Sequence, residues 1–246
     1  MKTMDHRIAR RRRQISEDRA RRRLPRIIVF LVLLAVGAFG VWLVQSPVLA
    51  VREVEVSGAA HSDPEAIGVA EGLVVGTPTI GVPTERIEAA LRGDPWIADA
   101  RVSVTWPGYV LLEVIEHDPV AYIDTGDAWL WATADGHVVQ IADVPVTGWP
   151  VVEVPISAVV GDRATDPVVL GGLEFVSRLP SGLAADALLM IEDGEVVGWI
   201  GGHKVRLGLP REMAEKAAVL VALLDTGLPP RARIDLVSPE RPAVTT

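Results

Sequence analysis

The sequence contains no cysteine, few aromatic residues and, between Arg26 and Arg52, no charge. With no thiol among 246 residues, the chain has neither a disulfide scaffold nor a thiol nucleophile. Aromatic side chains amount to 5%, too few for the girdles of an outer-membrane barrel. Also missing are G-x-S-x-G, H-E-x-x-H, S-x-x-K and G-x-x-x-x-G-K-[ST], the spacings that set up a serine nucleophile, a zinc pair or a phosphate-cradling loop. The five histidines, His6, His61, His117, His137 and His203, include no two at metal-ligand spacing on one helix, and they read as exposed turn residues. Asp124 with Asp127, and Glu192-Asp193 with Glu195, fall in hairpin turns whose backbone calls for Asp and Gly, which argues against paired-carboxylate catalysis. Trp96, Trp106, Trp129, Trp131, Trp149 and Trp199 lie in alternating segments, where packed or sheet-face tryptophan is expected in place of a glycan groove. No catalytic, cofactor-binding or metal-binding residue is expected, and no cofactor or small-molecule substrate.

The charge is split. Residues 1–26 carry eleven Lys/Arg against three Asp/Glu, whereas the remaining 220 residues carry thirteen against 29. The bulk of the chain is therefore too acidic for nucleic-acid binding. Ile27 to Val44 is an apolar run of eighteen residues, roughly 27 Å long as a helix, close to the thickness of a bilayer's hydrocarbon core. The reading is an uncleaved transmembrane anchor over 27–46. Val48-Leu49-Ala50 has the small residues of a signal-peptidase site, but the apolar run and the charged leader are both longer than a cleaved signal uses. Arg10 to Arg13 and Arg21 to Arg23 set the orientation, because positive flanks stay in the cytoplasm. Residues 1–26 are then a basic cytoplasmic tail without fixed structure, and the acidic body lies outside. Gly37 and Gly40 are three apart, which is poor spacing for helix pairing.

From Val51 to Pro119 the pattern reads strand, helix, helix, strand, strand. A period of two from Val51 ends at Gly58. Ser62-Asp63-Pro64-Glu65 then opens a short helix with an N-cap and an early proline. Pro83-Thr84-Glu85 opens a second helix, with Ile87, Ala90 and Leu91 on one face. Ile97 to Val104 and Val110 to Val114 flank the turn Trp106-Pro107-Gly108 as a hairpin. Past Pro119 the period is mostly two. Asp135-Gly136, Asp193-Gly194 and Gly201-Gly202 are turns, and helices start near Thr165-Asp166-Pro167 and at Pro210. A last short strand, Arg233 to Val237, precedes Pro239 and Pro242, which are expected to forbid a continued ladder and leave that strand at a sheet edge.

In their order, these residues resemble the bacterial cell-division family FtsQ/DivIB. The resemblance rests on Asp94-Pro95-Trp96-Ile97-Ala98-Asp99-Ala100, then Trp106-Pro107, then Glu116-His117-Asp118-Pro119-Val120-Ala121. Val205-Arg206-Leu207-Gly208 and Ile234-Asp235-Leu236 follow, with the anchor helix in front. His117 stands where the family has Arg. Arginine outnumbers lysine 21 to 3 in an Ala, Val, Gly and Asp-rich chain, which looks like a high-GC, actinobacterial composition.

The resemblance implies an α+β protein: one N-terminal transmembrane helix, a POTRA domain (β-α-α-β-β) at 51–119, and a mixed or antiparallel β domain with two helices at 120–240. Residues 241–246 are expected to be a flexible tail. It further implies a non-enzymatic scaffold at the division septum. Such a scaffold is single-pass, with its N-terminus cytoplasmic, and links early and late divisome components. Its implied partners are FtsB/DivIC-like and FtsL-like coiled-coil membrane proteins, joined by strand addition at the last strand of the β domain. The candidate partner-binding residues are Arg231, Arg233, Ile234, Leu236, Val237 and Ser238. For Ile234 and Leu236 the competing reading is core packing, and for Arg231 and Arg233 it is a solvated charge that blunts the edge. Two other functions fit parts of the pattern: a POTRA-type chaperone or export accessory that captures extended polypeptide, and a membrane-tethered wall hydrolase. The hydrolase would need a catalytic constellation that the sequence lacks.

Overall fold

The computed structural model describes residues 25–43, 46–154 and 159–245. The expected basic tail falls, but for its last two residues, outside the described residues, as do Val44 and Gln45 at the end of the expected anchor. Helix α1, Pro25–Leu43, has 19 residues and none of its apolar window is buried. It begins at a proline, which suits the first turn of a helix because that turn's amides have no helical acceptor. Its length and composition fit a single-pass membrane segment.

The element order after α1 is β1 (Glu53–Ser57), α2 (Pro64–Ala70), α3 (Thr84–Leu91), β2 (Ile97–Thr105) and β3 (Tyr109–Glu116), with β1, β3 and β2 adjacent in that order in a three-stranded sheet. This is the strand, helix, helix, strand, strand succession that the periodicity predicts. The described residues divide into two compact units, the first comprising residues up to Glu55, Gly72–Pro83 and Ser103–Leu111, the second Val56–Glu71, Thr84–Val102 and Leu112 onward.

The first unit is stitched by backbone bonds. Val51 donates to the Thr77 carbonyl at 2.8 Å and accepts from the Gly76 amide at 2.8 Å. The buried Thr79 hydroxyl donates to the Leu49 carbonyl at 2.8 Å, filling an acceptor left over at the 3-10 turn Pro47–Leu49. Trp106 is the exception to the expected packing of tryptophan: at the tip of the β2–β3 hairpin it is 57% exposed.

In the second unit, Asp63 caps α2 by accepting from the Ala66 amide, and α3 turns Ile87 and Leu91 fully inward. A nine-stranded sheet follows, built from β4 (Pro119–Asp124), β5 (Trp129–Thr133), β6 (Val138–Ala142), β7 (Val151–Glu153), β8 (Leu188–Glu192), β9 (Glu195–Ile200), β10 (His203–Gly208), β11 (Arg233–Asp235) and β12 (Ala243–Thr245). Their spatial order is β12-β11-β10-β9-β8-β7-β4-β5-β6. The three hairpins expected from the Asp-Gly and Gly-Gly turns are present as β5–β6, β8–β9 and β9–β10. The parallel neighbours are β4 with β7, β7 with β8, and β10 with β11.

Helices α4 (Pro167–Ser177) and α6 (Met213–Asp225) belong to the same core as the sheet, while α5 (Ser181–Ala184) is a single turn. Asp166 caps α4, and Val169, Leu173 and Val176 are buried, as their spacing predicts. Ile123, Val152, Leu189, Val205, Leu207 and Ile234 supply the sheet side of that core. Each is at most 1% exposed, which makes this burial the dominant stabilising contribution. Gly171 lets the entry to α6 approach closely, because a Cβ there would sit 2.5 Å from the Pro210 Cβ and 3.3 Å from the Met213 Cε.

Candidate protein-interaction site

The expected site is built by a strand, helix, strand crossover. β10 leads into α6, and α6 returns the chain so that β11 lies parallel to β10 in the register Lys204↔Arg233, Val205↔Ile234, Arg206↔Asp235. The exit of β10 is held by Lys216 on α6. Its ammonium, buried at 2% exposure, donates to the carbonyls of Leu207 at 2.7 Å and Leu209 at 3.0 Å. Burial pushes this ammonium below its ordinary pKa, against the raising effect of Glu212 and Glu195.

Along β11 the side chains alternate as a strand requires. Ile234 and, just beyond, Leu236 point into the core at 1% and 0% exposure, so packing is their role and their side chains offer no contact surface. Arg231, Arg233, Val237 and Ser238 are exposed. Arg231 adopts a left-handed conformation, φ 61°, in the turn that enters the strand. Asp235 binds Arg206 across to β10 at 3.4 Å, and Arg206 in turn binds Glu195 on β9 at 2.7 Å. The neighbouring row, Arg233, Lys204 and Trp199, runs across the sheet by register. Trp199 is 45% exposed, a sheet-face tryptophan as expected but one left open to solvent. The margin thus combines Arg233 and an open indole, two residue types enriched in protein contacts, with the half-buried Lys204 between them. Sequence periodicity alone did not single out Lys204 and Trp199, because the parallel pairing that brings β11 beside β10 is not visible in it.

The expectation that β11 forms the sheet edge is corrected by the structure. β12 pairs antiparallel on its outer side, Arg233↔Thr245, Ile234↔Val244 and Asp235↔Ala243. The prolines do end a ladder, but Pro239 and Pro242 bracket a turn, tied by the Arg241 amide to the Ser238 carbonyl at 3.1 Å, after which the chain folds back. Part of the expected flexible tail 241–246 is therefore strand. A strand of three residues is too short to register as a period of two.

Part of the pattern that carried the family resemblance, Pro95-Trp96 and Glu116-His117, converges elsewhere in the second unit. The Glu116 carboxylate accepts from the amides of Ala60, His61 and Ser62 at 3.0, 2.9 and 2.8 Å and from the Ser62 hydroxyl at 2.6 Å. Burial opposes its charge, but these hydrogen bonds win and hold its pKa at about 2. Trp96 stacks on His61 with ring centres 4.3 Å apart and meets Trp131 edge-on at 5.3 Å. His117 donates its amide to the Trp96 carbonyl at 2.8 Å and stacks on His137 at 4.1 Å, while His137 Nε2 lies 2.9 Å from the Pro95 carbonyl. Burial and the facing His137 lower the His117 pKa. His61 is exposed, as expected, whereas His117 and His137 are half-buried and His203 is 8% exposed, which corrects the expectation of exposed turn residues for those three; His6 lies outside the described residues. Among the described residues no group of three His, Cys, Asp or Glu side chains is arranged to hold a metal ion.

Residues 49–117 match a family model described as "POTRA domain, FtsQ-type". Over a longer span the chain is similar to the cell division protein FtsQ of Streptomyces collinus, with 29% identity over 242 residues that cover 90% of this chain and 88% of that one. Residues 49–117 thus carry an FtsQ-type POTRA domain, and over most of its length the chain is similar to FtsQ cell-division proteins. Actinobacterial members recur among its relatives: FtsQ of Streptomyces griseus is 28% identical, covering 80% of this chain and 97% of the relative. FtsQ of Mycolicibacterium smegmatis is 28% identical over 87% of this chain, which spans 62% of that relative's length. A solved structure, the major extracytoplasmic domain of the division protein DivIB from Geobacillus stearothermophilus, aligns at 13% identity and a TM-score of 0.33, covering 46% of this chain and 98% of that one. In FtsQ-family terms, β1 to β3 with α2 and α3 are the POTRA elements.

Proposed function

We propose that this FtsQ-like chain is a non-enzymatic, single-pass scaffold of the division septum that links early and late divisome components. Its N-terminus is cytoplasmic and its POTRA and β domains, 51–119 and 120–240, are extracytoplasmic. Its partners are FtsB/DivIC-like and FtsL-like coiled-coil membrane proteins, which join the β domain at the margin formed by Arg231, Arg233, Val237 and Ser238, with Ile234 and Leu236 holding that strand from beneath. The observation that carries the reading is the end of the nine-stranded sheet. There the exposed Arg233, the half-buried Lys204 and the open Trp199 stand beside a strand whose outer side is covered by only three residues. Backbone groups at such a margin are satisfied equally well by a partner's extended segment.

Because Ile234 and Leu236 are core residues, the test substitutes the exposed positions. Arg233→Glu with Val237→Glu leaves the core intact and should reduce co-purification of the coiled-coil partners at least about tenfold, or 1.4 kcal/mol. Undiminished recovery refutes the assigned surface. Removal of 51–119 should impair septal recruitment, read by fluorescence localisation. Protease shaving of intact cells should digest the acidic body and spare the leader.

A further inference from the structure

We infer that β12 is a placeholder strand, which the partner's segment displaces when it joins β11. The inference rests on the proposed partner margin and adds how that margin is gated. β11 is held permanently: Ile234 and Leu236 are core residues, and the Leu236 amide donates to the Arg206 carbonyl at 2.8 Å. β12 has no such hold. All three of its residues are exposed, the apolar Val244 at 37%, and none belongs to the core. It is kept in place by a short backbone ladder at the end of the turn 236–242, and ladders of this kind open locally at little cost.

A second stand-in sits beside it. The Val237 amide, two residues past where β12 stops pairing, is satisfied by the Asp235 side chain at 3.0 Å. An incoming segment longer than three residues can replace both the β12 ladder and that side-chain bond, extending pairing along Arg233 to Ser238, which β12 does not do. Addition outside β12 would instead rest the whole contact on a strand with no buried side chain.

Because partner affinity is reduced by the fraction of molecules whose edge is open, an edge open in about a tenth of molecules costs about tenfold in apparent affinity. The test uses the full chain in detergent with the co-expressed FtsB/DivIC-like protein of the same cell. The first variant deletes 243–246. The second is Asp235→Cys with Ala243→Cys, facing positions in the ladder and the sole cysteines in a chain that has none, compared oxidised and reduced so that the substitutions themselves cancel. The expected result is binding about tenfold tighter after deletion, and at least tenfold weaker for the oxidised than for the reduced pair. Equal binding by oxidised and reduced forms, or loss of binding on deletion with retention by the oxidised form, overturns displacement and leaves the margin assignment standing. Failure of every form, the parent chain included, to bind overturns the margin assignment itself.

Discussion

Glu116 anchors the segment before α2, and its replacement reports on that anchor through pH. Its side chain is 9% exposed; it accepts from the amides of Ala60, His61 and Ser62 and from the Ser62 hydroxyl, and His61 Nδ1 lies 3.1 Å from Oε2. The fall in its pKa from 4.5 to about 2 corresponds to about 3 kcal/mol at 1.36 kcal/mol per unit. That figure is a ceiling, since water can take up the freed amides. Glu116→Gln, which keeps the shape and one acceptor but no charge, should therefore cost about 1–2 kcal/mol at pH 7, and Glu116→Ala about 2–3 kcal/mol. The folded pKa is depressed, so the charge contributes fully above about 4.5, the unfolded value, and its contribution is lost as pH falls toward 2. Denaturant titrations of the parent chain and Glu116→Gln at pH 7, 4 and 2.5 should show a gap that narrows as the solution is acidified. A gap of the same size at pH 7 and 2.5, or none at pH 7, would refute the assignment of this carboxylate as the charged anchor of residues 60–62.

Lys216→Met keeps the volume of the buried side chain but leaves the Leu207 and Leu209 carbonyls without their donor. A loss of about 2 kcal/mol in denaturant titration is expected, with amide exchange accelerating first in β10 and β11. His117 has a folded pKa below 6.5, lowered by burial, His137 and Arg163 and opposed by Asp135. Its contribution to stability is thus complete above pH 6.5 and falls away as acid protonates it. The melting temperature should drop between pH 7 and 5.5, and His117→Asn should flatten that slope; an unchanged slope contradicts the role of the stacked pair. Gly171→Ala places a methyl against Pro210 and should destabilise the α4–α6 packing by about 1–3 kcal/mol, measured by thermal melting.

Much of this fold is legible in the sequence because local signals suffice. The Asp-Gly and Gly-Gly turns demand positive φ, which the structure shows at Gly136, Gly194, Gly201 and Gly202, and a two-residue turn between alternating runs leaves little choice but a hairpin. Caps at Asp63 and Asp166 likewise appear where a side-chain acceptor precedes a proline. What escapes is long-range. β7 has three residues and two parallel neighbours, β4 and β8, contributed by distant segments, and nothing in Val151–Glu153 announces either. The candidate site divides the same way. The sequence places Ile234 and Leu236 on one side of a strand and Arg233 on the other, but it cannot show that Lys204 and Trp199 lie beside Arg233 or that Ala243–Thr245 covers it. The partial burial of His117 and His137 escapes the sequence because their stacking joins residues well separated in the chain.

The most direct measurement is site-specific photocrosslinking in dividing cells, with the photoreactive residue placed in turn at Arg233 and Val237 on the β11 margin and at Gln140 on β6, the strand at the opposite end of the sheet. The account predicts adducts with small coiled-coil septal proteins from Arg233 and Val237 and none from Gln140. Adducts from Gln140 alone, or none from the β11 positions in cells where the protein is at the septum, would contradict it.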